Sequence, residues 1–532
     1  MHYNAQPPIC PTLDLNSSNF NPQGLVFQFN FYCHKIISSL LSYFGRSFKG
    51  WQIFLLILSI LLMLASNPCK ALTSVTSNFI YGHAPYLTLD GGHTRVMDTD
   101  GLLGISLSNG TRLTPTTNNS TQSNPIELPN LSETLANVEM FIPINTNSIE
   151  LNLLIGAPYF YWGDDDGDGQ GSDGVSANGS LSLTIVDNNN QAVARNARLD
   201  ICNAPYKLTL NSSGGALTTR YGFPKSSNFN ASTATYYINP KALPKVCFAK
   251  PNLKYGKNSE PDSWAYGVDF RGPISMWNEN KGFIPQSSNP SFYYLNFPST
   301  GADHLYFDLE IAGSGPLKWE PVEHNGITAT IDANSTGNRV KVTLTGPVAS
   351  KQQWNSDRPN EIANEIKILR PNLPQTFELV GKDDNGNAII KYGFKLKQWF
   401  VNRGNKEGKY YNYIDTEKWC ENINYRLPMV KDLTNASCQG INSGHWCEGA
   451  NVGAIYPSPN NYYQRRIDAG FFSEWGDMYY YSDASFGFYG RDGYWTSDHH
   501  PTDGDPYIVH SSHGHIGWGR LDYEGRGLCV VP

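Results

Sequence analysis

Apolar and polar residues alternate in short runs from Ser74 to about Tyr255, and clusters of Asn, Gly and Ser interrupt them. A period of two places successive side chains on opposite faces, the pattern of a half-buried strand. NSIELNLLIG (147–156), GSLSLTIVDNNNQAV (179–193) and YKLTLNSSGGALTTRYG (206–222) therefore each predict strand–turn–strand, with Asn and Gly supplying the positive φ of the turns. Residues 100–130 are rich in Thr, Ser, Asn and Pro and predict surface loop. A second block contains a strand in HLYFDLEIAG (304–313), a hairpin over 326–346, and another over 375–394 that turns at Asp384-Asn385-Gly386. Between about 350 and 372 the chain becomes polar and proline-containing, which reads as a boundary.

From residue 395 the pattern changes. Trp419 and Ile423 stand at helical spacing within TEKWCENINYRLPMVKDL (416–433). Aromatic-dense, glycine-broken text follows, and the chain ends in two short strands, YIVHSS (507–512) and GLCVVP (527–532). The predicted fold class is mostly β: β-sandwich-like modules over 72–255 and 256–394, then a small α+β module over 395–532. Ahead of them, 1–71 is an N-terminal extension. Its apolar run Ile53–Ala65 follows Lys35, Arg46 and Lys49, and its length of about 13 residues suits a signal peptide and falls short of a spanning helix. The small residues flanking Lys70 in CKA predict cleavage after Ala71; an uncleaved anchor is the alternative.

Composition supports a folded β chain. Of 532 residues 16% are charged, below the usual share of about 25%, and 13% are aromatic, so a disordered solvating chain is excluded. Lys and Arg number 40 against 47 Asp and Glu, a net charge of −7 without a basic stripe, so nucleic acid is not an expected partner. Three of the nine cysteines, Cys10, Cys33 and Cys69, precede residue 72 and six follow it. An even number beyond an export signal predicts disulfides. Fifteen pairings exist for six cysteines. The grouping along the chain suggests Cys202–Cys247 in one domain, with Cys438–Cys447 and Cys420–Cys529 in another.

The combination of YRLPMVKDL, GFFSEWGDM, GYWTSD, YIVHSSHG and the terminal GLCVVP resembles the C-type lectin-like domains that close enterobacterial intimin/invasin-type adhesins. Upstream, YGHAPYLTLDGG, YWGDDDGDGQG, INPKALPKVCFAKPNLKYG and LPQTFELVGKDDNGN resemble the module that precedes that domain, so the resemblance covers about residues 78–532. It implies an exported adhesin, secreted or on the bacterial cell surface, with an immunoglobulin-like module packed on a lectin-like tip. Such a protein binds a host or environmental receptor, protein or glycan. Full-length members carry an outer-membrane β-barrel, which the text before residue 72 does not supply. Outer-membrane association, secretion and attachment through another protein are thus all open.

The sharpest local motif is D-x-D-x-D-G from Asp164 through Asp166 and Asp168 to Gly169, the opening of a calcium loop. Gln170 would offer its carbonyl, Ser172 a water-bridging position, and Asp173 a further carboxylate; Val175 at the twelfth position excludes a full EF-hand. Structural Ca²⁺ is the one cofactor expected, with a solvated acidic turn as the alternative. His513 and His515 would face one side of a strand as a zinc pair does, but further ligands at suitable spacing are missing, and with His499, His500 and His510 they read as polar loop histidines. The resemblance also implies where a sugar-binding calcium would sit. There Ser458-Pro459-Asn460 lacks the acidic or amide residue, and Trp495 is followed by Thr496 and Ser497. Trp475, Tyr479, Tyr480, Tyr481, Phe486, Phe488, Tyr489, Tyr494 and Trp495 are more aromatics than a small core hides. The expected receptor surface is Trp475, Asp477, Tyr480, Tyr481, Tyr494 and Trp495, although Trp475 and Trp495 also read as core. Motifs of nucleophile elbow, zinc helix or phosphate loop are absent from the sequence. The formylglycine-generating oxidases of lectin-like fold need a reactive cysteine pair near the last strand, where only Cys529 stands. The expectation is a non-enzyme. Its rivals are a carbohydrate-active enzyme using Glu474 and Asp477, and a structural surface protein without a receptor.

Overall fold

The computed structural model describes residues 80–532 except 170–173, 260–264, 405–409, 451–452, 487–492 and 521–523. The expected export signal, its cleavage site and Cys10, Cys33 and Cys69 lie outside the described residues, as do Gln170, Ser172, Asp173, Phe488 and Tyr489. Among the described residues, no helix is long and apolar enough to cross a membrane.

Strands dominate, in several sheets with few helices. The first sheet has five strands in the order Ile126–Leu131, Ser226–Lys241, Tyr206–Thr219, Val175–Val186, Ser148–Glu150. The first pair is parallel and the others antiparallel. Alternation is legible in burial: Tyr206, Leu208 and Leu210 point inward, in step with Leu181, Leu183 and Ile185 on the neighbouring strand.

Two predicted hairpins are not hairpins. Residues 206–222 form one continuous strand, Tyr206–Thr219, because both its edges are paired along almost its whole length. Gly214 and Gly215 make an irregularity opposite Gly179 instead of a turn; a Cβ on Gly179 would stand 2.0 Å from the Gly214 carbonyl. In 147–156 the second half is a helical turn, Leu151–Leu154, which buries Leu151 and Leu154 at a spacing of three. The expected loop over 100–130 holds the helix Thr99–Leu102, capped by the Asp98 carboxylate, and ends in the sheet-edge strand Ile126–Leu131.

A second sheet has seven antiparallel strands in the order Trp277–Asn278, Gly282–Phe283, Lys245–Lys250, Tyr306–Ala312, Arg339–Thr345, Ile327–Ala333, Val322–His324. It runs across the expected division at 255, since Lys245–Lys250 pairs with Tyr306–Ala312. The disulfide Cys202–Cys247 joins this strand to the short turn Ile201–Asn203 of the first module. The hairpins over 326–346 and 375–394 form, as Ile327–Ala333 with Arg339–Thr345 and as Gln375–Lys382 with Ala388–Leu396.

In the last block Gln398–Asn402 pairs in parallel with Thr300–Ala302 and antiparallel with the terminal strand Leu528–Val531. The helix Tyr413–Asn422 buries Trp419, and Ile423 caps it. Cys420 of that helix bonds Cys529 of the terminal strand across 109 residues, and Cys438–Cys447 closes a short loop. A further sheet comprises Gly493–His499, Pro506–His510 and Ile516–Trp518. The first module has a hydrophobic core of its own, whereas 256–394 and 395–532 share one. At its centre the Trp475 ring packs 4.9 Å from Phe297 and 6.2 Å from Phe307, centroid to centroid.

Candidate functional site

Two places collect the chemistry the sequence singled out. The first is the acidic turn after the short strand Trp162–Gly163. Asp164, Asp166 and Asp168 each offer a carboxylate oxygen, and these atoms lie within 4.8 Å of one another. The Asp164 carboxylate accepts the amides of Asp166 (3.3 Å) and Gly169 (3.0 Å), an arrangement that Gly167, at φ 76°, allows. Burial raises Asp164, but its hydrogen bonds with Asp166 and the Gly169 amide outweigh that and hold the carboxyl below its usual range. The Asp166 Oδ2 atom accepts the His83 amide at 2.7 Å, while its Oδ1 is buried without a partner among the described residues.

Asp168 is 1% exposed, and neither of its oxygens makes a hydrogen bond among the described residues. Burial pushes its carboxyl up. The nearby Thr219 hydroxyl, outside hydrogen-bond geometry, opposes this, and the charges of Asp164 and Asp166 add to it. Asp165 belongs to a different network: it accepts from the Tyr86 hydroxyl at 3.0 Å and pairs with Arg95, whose guanidinium lies over the Tyr86 ring. Sequence reasoning found the aspartates. It missed Gly82, Gly222, Tyr86 and Arg95, which approach the turn from elsewhere in the chain and carry no local signal.

The second place is the segment after the helix Phe471–Trp475. Of the expected receptor-binding set, five residues are interior: Trp475, Asp477, Tyr481, Tyr494 and Trp495. Trp475 donates its indole N–H to the Thr300 carbonyl, Tyr481 donates its hydroxyl to the Trp475 carbonyl, and Trp495 donates to the Tyr411 carbonyl. The reason they fit inside is the shared core, which offers more interior than a module of this size has alone. Tyr480 is 45% exposed and its neighbour Tyr479 is 48% exposed. Their rings meet edge to face at 5.5 Å, and Lys254 lies 5.1 Å over the Tyr480 ring. The base of this turn is fixed by Asp477, whose carboxylate accepts the Tyr479 amide and stands 3.6 Å from Lys254. Asn252 reaches in beside it, donating its amide to the Tyr481 hydroxyl and its side chain to the Asp477 carbonyl.

Glu474 and Asp477 do not face a common cleft. Glu474 is 0% exposed and its carboxylate accepts from the Ser299 amide, the Thr300 amide (3.0 Å), the Thr300 hydroxyl (2.6 Å) and the Asp468 amide (2.8 Å). Burial pushes its carboxyl up, against the hydrogen bonds from Asp468, Thr300 and Ser299. Its role is to fasten the approach to strand Thr300–Ala302, and the geometry gives a glycoside hydrolase pair no water-accessible carboxylate.

Among the histidines, His510 and His515 stack at 3.8 Å, while His513 is buried in the turn beyond strand Pro506–His510 and not on a strand face. A different group converges: His445 Nε2 and His500 Nδ1 each lie 3.0 Å from the Asp503 carboxylate, and the other His500 nitrogen faces the His445 carbonyl. These polar atoms satisfy one another, whereas both oxygens of Asp168 and one of Asp166 have no partner among the described residues.

No protein-family model and no curated protein matches the chain. Its structural neighbours include invasin and intimin. Invasin, described as a bacterial integrin-binding protein, matches at 13% identity with a TM-score of 0.30, over 68% of this chain and 52% of the other. Intimin in a complex with Tir90 matches at 11% identity and 0.25, over 48% and 92%. An intimin mutant of EHEC O157:H7 matches at 13% identity and 0.24, over 48% and 93%. The chain spans about half the length of the invasin chain it matches, 52%.

Proposed function

We propose that the protein is an exported adhesin. Residues 395–532 form its C-type lectin-like tip, which binds a protein receptor through the surface around Tyr479 and Tyr480. The observation that carries this reading is the exposed tyrosine pair, set on a turn that Asp477, Lys254 and Asn252 hold from below. Large aromatics kept in the open on a rigid base are the usual energetic anchors of a protein interface, because little side-chain entropy is lost when they are covered. The lectin-like assignment draws support from the sequence motifs and from the order short helix, irregular middle, cysteine-bearing last strand. Three disulfides favour an oxidising compartment and hence export, which a mature N-terminus close to Leu72 by mass spectrometry would bear out.

The test is binding of the purified protein to intact host cells, to protease-stripped cells and to a glycan array. Tyr479→Ser/Tyr480→Ser should lower cell binding by about tenfold or more and leave stability within about 0.5 kcal/mol, since both side chains are on the surface. Undiminished binding by the double variant removes this surface. Binding that survives protease stripping and reproduces on the array makes the receptor a glycan.

A further inference from the structure

The acidic turn carries more negative charge than its surroundings neutralise. Three carboxylates converge with oxygens within 4.8 Å, and Arg95 pairs with the fourth aspartate, Asp165, outside the cluster. Asp168 decides what this means. It is 1% exposed, both its oxygens are unpartnered among the described residues, and it points at two other carboxylates, one of which, Asp166, also has a buried and unpartnered oxygen. A carboxylate removed from water without donors is strongly unfavourable unless a proton or a cation offsets the lost solvation.

The backbone is shaped around these oxygens. A Cβ on Gly82 would stand 1.4 Å from Asp166 Oδ2, and one on Gly222 would stand 1.6 Å from Asp168 Oδ2. Two remote segments therefore close over the carboxylates at positions where only glycine fits. Those segments are partners: Ile80–Tyr81 and Gly222–Phe223 form a parallel pair, and the His83 amide donates to Asp166.

We propose that Asp164, Asp166 and Asp168 bind one Ca²⁺, which clamps the turn 164–169 to the strand pair Ile80–Tyr81 and Gly222–Phe223. The donors are all oxygens, which suits a hard cation and not zinc or copper. Ligands of Ca²⁺ lie at about 2.3–2.6 Å, so oxygens on opposite sides of the ion are up to about 5 Å apart, and three converging protein carboxylates suit it better than Mg²⁺, which keeps several waters and takes one or two carboxylates. Water and backbone carbonyls complete the shell. The ion is structural: it fixes where the first described strand joins the five-strand module.

Trp162 provides a direct readout, since its ring lies 2.9 Å from where a Cβ on Gly169 would be. Tb³⁺, which shares the size and oxygen preference of Ca²⁺, should luminesce when tryptophan is excited in the full protein, and Ca²⁺ should displace it at stoichiometry one. Millimolar Ca²⁺ should raise the melting temperature of the first module by about 3 °C or more over EDTA, because the ion binds only the folded state. Asp168→Asn should abolish both signals and melt no lower than wild type in EDTA; Asp165→Asn should keep both. Equal melting in Ca²⁺ and EDTA together with no displaceable Tb³⁺ emission would overturn the site. An equal shift with Mg²⁺ at the same concentration would overturn its assignment to calcium. Should Asp168→Asn fail to fold, the wild-type luminescence and displacement still decide the matter.

Discussion

Asp168 and Glu474 are both shut off from solvent, 1% and 0% exposed, yet one is surrounded by donors and the other by acceptors. Glu474 receives three backbone amides and a hydroxyl, so its charge is spread over hydrogen bonds that the fold itself supplies. Asp168 receives none among the described residues and faces two more carboxylates. A buried carboxylate is thus not one kind of feature. Where donors converge on it, it is a fastener between segments; where acceptors converge on it, something positive is missing. The same contrast separates the regions around them. The C-terminal block is closed by its own disulfides and shares a core with the preceding block, whereas the acidic turn is held by hydrogen bonds from the His83 amide and the Tyr86 hydroxyl and by the Arg95–Asp165 pair, with no covalent link among the described residues.

The strongest way to break the comparison is to open the C-terminal block covalently. Cys420 and Cys529 are both fully buried and enclose 109 residues. Replacing both with Ala should cost about 4–5 kcal/mol in the chain-entropy account. It should lower the melting of the shared core and leave untouched any calcium-dependent transition of the first module. Calorimetry with and without calcium reads both. A fall in both transitions together would mean that the two regions do not differ as argued.

Next in size is the isosteric exchange of one oxygen for an amide. Glu474→Gln turns an acceptor into a donor facing the Ser299 and Thr300 amides, and should cost about 3 kcal/mol in urea unfolding at neutral pH. Asp168→Asn, the same chemical change, should cost nothing in chelator. Opposite responses to one substitution type sharpen the contrast; equal losses would place Asp168 in an ordinary hydrogen-bond network.

Much of the fold was legible from local pattern, and the failures have physical causes. The hairpins over 326–346 and 375–394 announce themselves through alternation and, in the second, through Gly386 at φ 85°. Gly214-Gly215 carries the same turn signal, but pairing on both strand edges outweighs local preference there. The D-x-D-x-D-G spacing pointed to the acidic turn, while the glycines that close over it come from Gly82 and Gly222, which no short motif links to it. The aromatic-rich tail misled for a different reason. A count of aromatics fixes how much surface must be hidden only when the size of the core is known, and here Phe297 and Phe307 lend interior to Trp475 and Tyr481. Tyr479 and Tyr480 stay outside while Tyr481, the next residue, is buried, which composition cannot resolve.

The smallest expected effect concerns a third carboxylate, exposed and satisfied within its own loop. Asp90 accepts from the Thr88 hydroxyl and the Thr94 amide, each at 2.8 Å. Hydrogen bonds from Thr94, side chain and backbone, with His93 nearby, hold its carboxyl down at about 2. An unfolded aspartate titrates near about 3.9, so between these values the folded state binds fewer protons than the unfolded state. Stability from this group is therefore complete above about pH 4 and drains away as the pH falls toward about 2. Glu474 has the opposite sign: its carboxyl is raised by burial, so above the ordinary glutamate value the folded state holds the extra proton and stability falls with rising pH. Asp90→Asn should lower the urea midpoint slightly at pH 5, since water screens so exposed a group, and the difference from wild type should vanish toward pH 2. A difference that stayed constant across that range would show that the loss comes from altered loop packing and not from the charge.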